Sequence, residues 1–144
     1  GKKDFVKMGS YGIGVSRLVG AIIEAKYDDK EEVMKWPYSV TPYELAIIPM
    51  INKSDTSILD KATNIFKHFE THNIDTIIDD TDENLSSKIK KFNLIGVPYQ
   101  IILGNKSEGD LLEFKEIGKN SQNLTLDQIT KILTELKAKN WYLY

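Results

Sequence analysis

Apolar positions along the chain recur with two periods, and these predict where strands and helices lie. Phe5, Val6 and Met8 form a short run of strand type that leads into glycines. From Ser16 to about Tyr27 the period is helical, with Val15, Leu18, Val19, Ile22 and Ile23 on one stripe. That stripe is wide for a helix with so little chain before it, so it is expected to pack on a sheet this chain lacks. Asp28-Asp29-Lys30-Glu31-Glu32 is a charge run, and Trp36-Pro37 and Thr41-Pro42 follow. Each proline biases the residue before it away from helix. A linker is therefore expected over residues 28–41, between a first unit at 1–27 and a domain at 42–144.

The second part is more regularly patterned. Glu44 to Met50 is nearly continuous in apolar residues, as expected of a strand covered on both faces. Asp55, Thr56 and Ser57 offer N-caps, Ser57 with Asp60 approximates a capping box, and Ile58, Leu59, Ala62, Ile65, Phe66 and Phe69 make a helical stripe ending near Asn73. Ile74 to Asp80 is a second strand. Leu85 to Leu94 is a lysine-rich helix broken at Gly96-Val97-Pro98, and Tyr99 to Leu103 is a third, buried-type strand. Gly104-Asn105 and Gly109-Asp110 bound a turn, after which Leu112 and Phe114 alternate with Glu113 and Lys115 in a strand from Leu111 to Ile117. Thr125 and Gln128 form a capping box ahead of a stripe of Leu126, Ile129, Ile132, Leu133 and Leu136. The order β-α-β-α-β-β-α predicts a three-layer α/β domain with a mixed, mainly parallel sheet.

Composition narrows the class. In 144 residues, 41% are hydrophobic and 28% charged, which is globular and not disordered. The absence of cysteine excludes disulfides, zinc–thiolate sites and a cysteine nucleophile, and suits a reducing compartment. The apolar runs are too short to span a bilayer, and no secretory leader pattern is present. A net charge of −2 argues against wholesale nucleic-acid binding but leaves room for a local basic face. The first residue is Gly1 and not Met, so the chain is expected to be a piece of something longer.

Four stretches carry candidate chemistry. Met8-Gly9-Ser10-Tyr11-Gly12-Ile13-Gly14-Val15-Ser16-Arg17 runs glycines into an arginine at a helix start, which suits a nucleotide phosphate. It matches neither the dinucleotide fingerprint nor the P-loop, and a tight turn with a surface arginine is the plain alternative. His68 and His72 are spaced to chelate, but lack the glutamate of a zincin motif directly after the first histidine and read as exposed helix residues, so no metal site is assigned. Asp79, Asp80, Asp82 and Glu83 sit past a strand's C-terminal end, where Mg²⁺ could bind, yet no phosphate-binding loop accompanies them and a solvated loop is expected. Lys88, Lys90, Lys91, Lys106, Lys115 and Lys119 make either an ordinary solvated face or a positive edge for RNA.

Taken together, these stretches resemble the C-terminal part of bacterial-type prolyl-tRNA synthetases. The residues that carry the resemblance are MGSYGIGVSRLVGAIIE at 8–24, which is similar to motif 3 of class II synthetases, then Trp36-Pro37, the strand beginning at Tyr43, and Leu94-Ile95-Gly96-Val97-Pro98-Tyr99. The resemblance reaches to about Leu136. It implies a strand–helix fragment of the class II catalytic core, followed by an anticodon-binding domain of about five strands. The fifth strand would come from 36–41 or from 119–123. It also implies a role for Arg17 on the ATP γ-phosphate and for Gly12 and Gly14 along the nucleotide, with ATP and Mg²⁺ in the parent enzyme and no cofactor in this piece. Charge stabilisation of a transferring phosphate is a large catalytic term.

For the anticodon, the resemblance points to Asn93, where relatives carry an acid, and to Gln100 and Lys119, with Lys88 as a further contact on the lysine face. An amide both donates and accepts, so Asn93 remains able to read a base edge. The implied partners are proline tRNA and the catalytic core outside this chain, in a cytoplasmic homodimer, with no membrane or DNA partner. A non-catalytic, synthetase-like RNA-binding or accessory module is the alternative, and the Arg17 segment argues against it. The aromatic tail, Asn140-Trp141-Tyr142-Leu143-Tyr144, is expected to pack on the last helix.

Overall fold

The computed structural model describes residues 3–51, 57–104 and 110–141. Phe5, Val6 and Met8, expected as a strand, adopt no regular structure and are 95%, 94% and 89% exposed. A strand needs a second backbone to satisfy its N–H and C=O groups, and none among the described residues pairs with this one. Helix α1 (Val15–Lys26) follows, with Gly14 at its N-cap and no buried residue. Its apolar stripe of Leu18, Val19 and Ile23 faces solvent.

The segment expected as a linker is folded. Strands β1 (Tyr27–Asp28) and β2 (Val33–Met34) form an antiparallel hairpin, and a 3₁₀ turn occupies Tyr38–Val40. Only the charge run at the hairpin tip behaves as a solvated loop. The Lys35 ammonium bonds Asp28 at 2.9 Å and Glu31 at 3.0 Å. The Lys35 contact, then the Glu31 N–H, holds the Asp28 carboxyl below its usual range. Val33 and Met34, just past the tip, are 3% and 2% exposed.

Five strands form the main sheet in the order β4 (Thr76–Ile78), β3 (Leu45–Pro49), β5 (Tyr99–Leu103), β6 (Leu111–Glu116), β7 (Gln122–Thr125). The sheet is mixed. β3 runs parallel to both β4 and β5, whereas β5–β6 and β6–β7 are antiparallel, because short turns replace helical crossovers there. The fifth strand comes from the later of the two expected segments, shifted to Gln122–Thr125.

The crossover from β3 to β4 leads away from the eventual position of β5, and the next one leads back past β3. Helices α2 (Ser57–Thr71) and α3 (Leu85–Ile95) must then lie on opposite faces if both connections keep the usual hand. They do. α2 and α4 (Leu126–Trp141) bury Ala62, Ile65, Phe69, Ile129 and Leu133 against Leu45, Ile47, Ile101, Leu112 and Phe114. α3 buries Phe92 against Ala46, Ile48 and Val97 on the other face.

Local signals account for the helix ends. Thr125 N–H donates to Gln128 Oε1 at 2.9 Å and Gln128 N–H to Thr125 Oγ1 at 3.4 Å, a reciprocal capping box. Asn84 caps α3 by accepting from Ser87 N–H at 2.8 Å. Gly96 ends α3 at φ +84°, with Gly96 and Val97 N–H both returning to the Phe92 carbonyl. Asp55, Thr56, the turn at Asn105–Gly109 with Lys106, and the aromatic tail's side chains from Asn140 onward lie outside the described residues.

Glu44 ties the linker to the domain. Its carboxylate accepts from Tyr38 Oη, from Asp75 N–H at 2.8 Å and from Lys137 Nζ at 2.9 Å, while only 5% exposed. Burial, then the Glu44 bond, pushes the Tyr38 hydroxyl far above its usual range.

Gly96 is tested most directly. A Cβ there would meet Trp36 Cδ1 at 2.5 Å and the Met34 carbonyl oxygen at 2.7 Å, on top of the left-handed backbone. Gly96→Ala should destabilise the fold by at least about 1 kcal/mol, read as a lower urea midpoint at unchanged slope.

Candidate nucleic-acid interface

The α3 side of the sheet is only half covered. α3 lies over β3 and the β4 side, while among the described residues no helix packs on this face of β6 and β7. Strand alternation sends Phe114 and Leu112 into the α2–α4 core, so Glu113 and Lys115 project the opposite way. In register, Lys115 neighbours Gln100, which neighbours Ala46, and Asn123 neighbours Glu113. The result is a polar strip beside the last turn of α3.

Two of the expected site residues meet at the boundary of that strip. Gln100 Nε2 donates to Asn93 Oδ1 at 3.0 Å. Gln100 is 0% exposed and its Oε1 has no partner. An orphaned buried acceptor costs about 1–3 kcal/mol, so it is a natural target for a donor from water or ligand. Gln100, expected as a direct base contact, is therefore a buried residue that orients the half-buried Asn93. Lys119 is exposed in the turn after β6, and its ammonium meets Glu116 at 2.8 Å. Lys115 was legible as part of a solvated face or a positive edge and Glu113 only as a polar strand position; nothing in the local pattern said which helix covers that face.

Lys88 is not on this surface. It is 1% exposed, with Nζ donating to the carbonyls of Pro49 at 3.1 Å and Asp79 at 3.2 Å and lying 3.7 Å from the Asp79 carboxylate. The expected lysine face is corrected at this position: α3 turns Lys88 inward, over the C-terminal ends of β3 and β4. Asp79 is corrected with it, since the acid read as part of a solvated loop is 4% exposed. Lys91 reaches its Oδ2 at 2.9 Å, and the Thr81 hydroxyl and N–H bond Oδ1. Burial pushes the Asp79 carboxyl up, but the Thr81 and Lys91 bonds and the Lys88 charge outweigh it, leaving the group below its usual range. Asp80, Asp82 and Glu83 stay exposed, with Glu83 3.3 Å from Lys91.

The histidines are corrected in part. His68, expected as exposed, is half-buried with Nε2 2.9 Å from Thr130 Oγ1, and burial followed by His72 lowers its pKa. His72 is exposed and bonds the His68 carbonyl through Nδ1 at 2.8 Å. Among the described residues no group of three or more His, Cys, Asp or Glu is placed to hold a metal ion, and no helix is long and apolar enough to cross a membrane.

At the other end of the chain, Arg17 is exposed on the first turn of α1. A Cβ on Gly12 would meet nothing within 4 Å, and one on Gly14 only Arg17 Cβ at 3.5 Å. Gly12, Gly14 and Arg17 are all exposed.

The sequence profile of the family described as "Anticodon binding domain" matches residues 44–136, well over half of the chain. The chain belongs to the anticodon-binding domain family. The chain carrying this anticodon-binding domain is 83% identical over 140 residues to the "Proline--tRNA ligase" of Pelagibacter ubique (strain HTCC1062), covering 97% of itself and 32% of that relative. It is 38% identical over 125 residues to the protein of the same name from Buchnera aphidicola subsp. Baizongia pistaciae (strain Bp), covering 86% of itself and 21% of the relative. Against that from Rickettsia canadensis (strain McKiel) it is 44% identical over 116 residues, covering 80% and 26%. The chain thus spans about a third or less of the length of these relatives.

The buried pair at the heart of the domain sets an acid dependence. A carboxyl held below its unfolded value of 3.8 contributes stability that is present above that value and lost as pH falls through the folded one. Asp79→Asn should therefore lower stability near neutral pH and flatten its decline below about pH 4, read by urea unfolding across pH. Lys88→Met should cost about 3–5 kcal/mol by leaving a buried carboxylate short of a partner.

Proposed function

We propose that the anticodon-binding domain reads the anticodon of proline tRNA, and that the chain is part of a proline–tRNA ligase. What supports this is a single arrangement: a motif-3-like Gly12-Ile13-Gly14-Val15-Ser16-Arg17 segment joined through a folded hairpin to a domain of the anticodon-binding family. The 83% identity to a Proline--tRNA ligase runs across both parts.

In this reading the polar strip of Asn93, Glu113, Lys115 and Asn123 lies against unstacked anticodon bases. Asn93 offers an amide edge held by Gln100, and Lys119 contacts phosphate. The ligase would join proline to its tRNA with ATP and Mg²⁺, as a cytoplasmic homodimer. Arg17, Gly12 and Gly14 are exposed, so in this reading the other walls of the nucleotide site come from the longer ligase. The exposed stripe of α1 would be covered by the rest of the catalytic core.

Fluorescence anisotropy of the chain with two labelled RNA hairpins, a proline anticodon stem-loop and the same hairpin with a swapped anticodon, tests the reading. The proline loop should bind more tightly, and equal affinity would refute anticodon reading. Asn93→Ala should remove about 1 kcal/mol of that preference, with little effect on the swapped loop. Lys119→Ala should weaken both loops alike and reduce the salt slope by about one.

A further inference from the structure

The last turn of α3 carries two contacts that face different ways. Asn93 bonds Gln100 at the proposed RNA strip. Two residues on, the Ile95 carbonyl accepts from the Trp36 indole N–H at 2.8 Å. A helix leaves its final carbonyls without partners inside the helix, so this one needs a partner from outside, and Trp36 supplies it. The indole also occupies the space over Gly96 that any Cβ would fill, with Cδ1 at 2.5 Å and Nε1 at 2.7 Å from that position. Gly96 thus has two reasons to be glycine: its positive φ and the ring above it.

Trp36 comes from the folded hairpin segment. Its neighbour Lys35 donates its backbone N–H to the carbonyl of Lys26, the last residue of α1, at 3.2 Å. Lys35 also holds the hairpin tip through Asp28 and Glu31. Val33 and Met34 are buried, and β2 packs on α3. A chain of direct contacts therefore runs from the end of α1 through Lys35 and Trp36 to Ile95, and two residues back along α3 to Asn93 and Gln100.

Resting on the anticodon reading above, we propose that Trp36 is a positioning residue for RNA recognition. It fixes the end of α3, and with it the Asn93–Gln100 pair, from the segment to which α1 is attached. The indole N–H is the group that does this. A phenylalanine would keep most of the ring packing and lose the donor.

The test uses Trp36→Phe and Gly96→Ala in the whole chain, with Ile129→Val in the α2–α4 core as a control for general destabilisation. Side-chain amide NMR signals of Asn93 and Gln100 report the pair without RNA, and anisotropy with the proline anticodon stem-loop reports recognition. Trp36→Phe should shift both amide signals and weaken the loop roughly three- to tenfold, Gly96→Ala should do the same, and Ile129→Val should do neither. Unmoved amide signals with affinity within about twofold of wild type would overturn the proposal, as would an equal affinity loss in Ile129→Val. If wild type binds no RNA, anticodon reading fails by itself, and the amide signals still decide whether Trp36 positions the pair.

Discussion

A lysine ammonium sealed inside the protein constrains much of this fold. Moving such a charge out of water costs several kcal/mol even after relaxation, and only good partners on every side offset it. Lys88 has them: two strand-end carbonyls and the Asp79 carboxylate, which is itself held by Thr81 and Lys91. These partners come from the ends of β3 and β4, so α3 can satisfy its lysine in only one axial position. The topology explains why the space exists. Where crossovers leave a parallel strand in opposite directions, a crevice opens at the C-terminal ends, and in many α/β proteins it takes a ligand. Here Lys88 occupies it, and the polar strip lies to one side, on β5, β6 and β7.

That placement carries along α3. A helix rises about 1.5 Å per residue and is stiff over a few turns, so fixing Lys88 near one end sets Asn93 near the other. Gly96, Trp36 and the buried Val33–Met34 pair then clamp the far end. Glu44 performs a comparable task on the other face, gathering Tyr38, the start of β4 and Lys137 of α4 around one carboxylate. Polar groups at strand and helix ends, more than the apolar stripes, determine how these elements are registered against each other.

The elements that could be read from the sequence were those with local causes. The alternation through Leu112–Lys115, the Thr125–Gln128 box and the glycine stop at Gly96 each depend on residues within a few positions, and each stands where the pattern put it. Lys88 could not be read this way, because its helix is lysine-rich and its burial depends on strand ends contributed by residues 49 and 79. Phe5–Met8 failed for the converse reason: the pattern is strand-like, but pairing needs a neighbour that no local signal supplies. β7 is polar enough, Gln-Asn-Leu-Thr, to pass for a loop until β6 lies beside it. At the site, Asn93 and Gln100 came from a family resemblance; their hydrogen bond and the unequal exposure of the two side chains came only from the fold.

The same ion pairs bear on how such a domain would hold RNA. Of the lysines that looked like a positive edge, Lys88, Lys91 and Lys119 each face a carboxylate. RNA phosphate would have to compete with Glu116 for Lys119, and it cannot reach Lys88 at all. With a net charge of −2, little sequence-independent attraction remains. A surface of that kind binds weakly by charge and discriminates by amide and strand side chains, so non-cognate RNA gains little from it. In the proposed reading, tight binding would come from contacts made elsewhere in the longer ligase, joined to this domain through the hairpin. Two linked sites gain from each other only where the connection lets both engage at once, and most where its length matches their span. The clamp at Trp36 would bear on both selectivity and linkage, since a loose hairpin would disturb the Asn93–Gln100 pair as well as the coupling to whatever α1 belongs to.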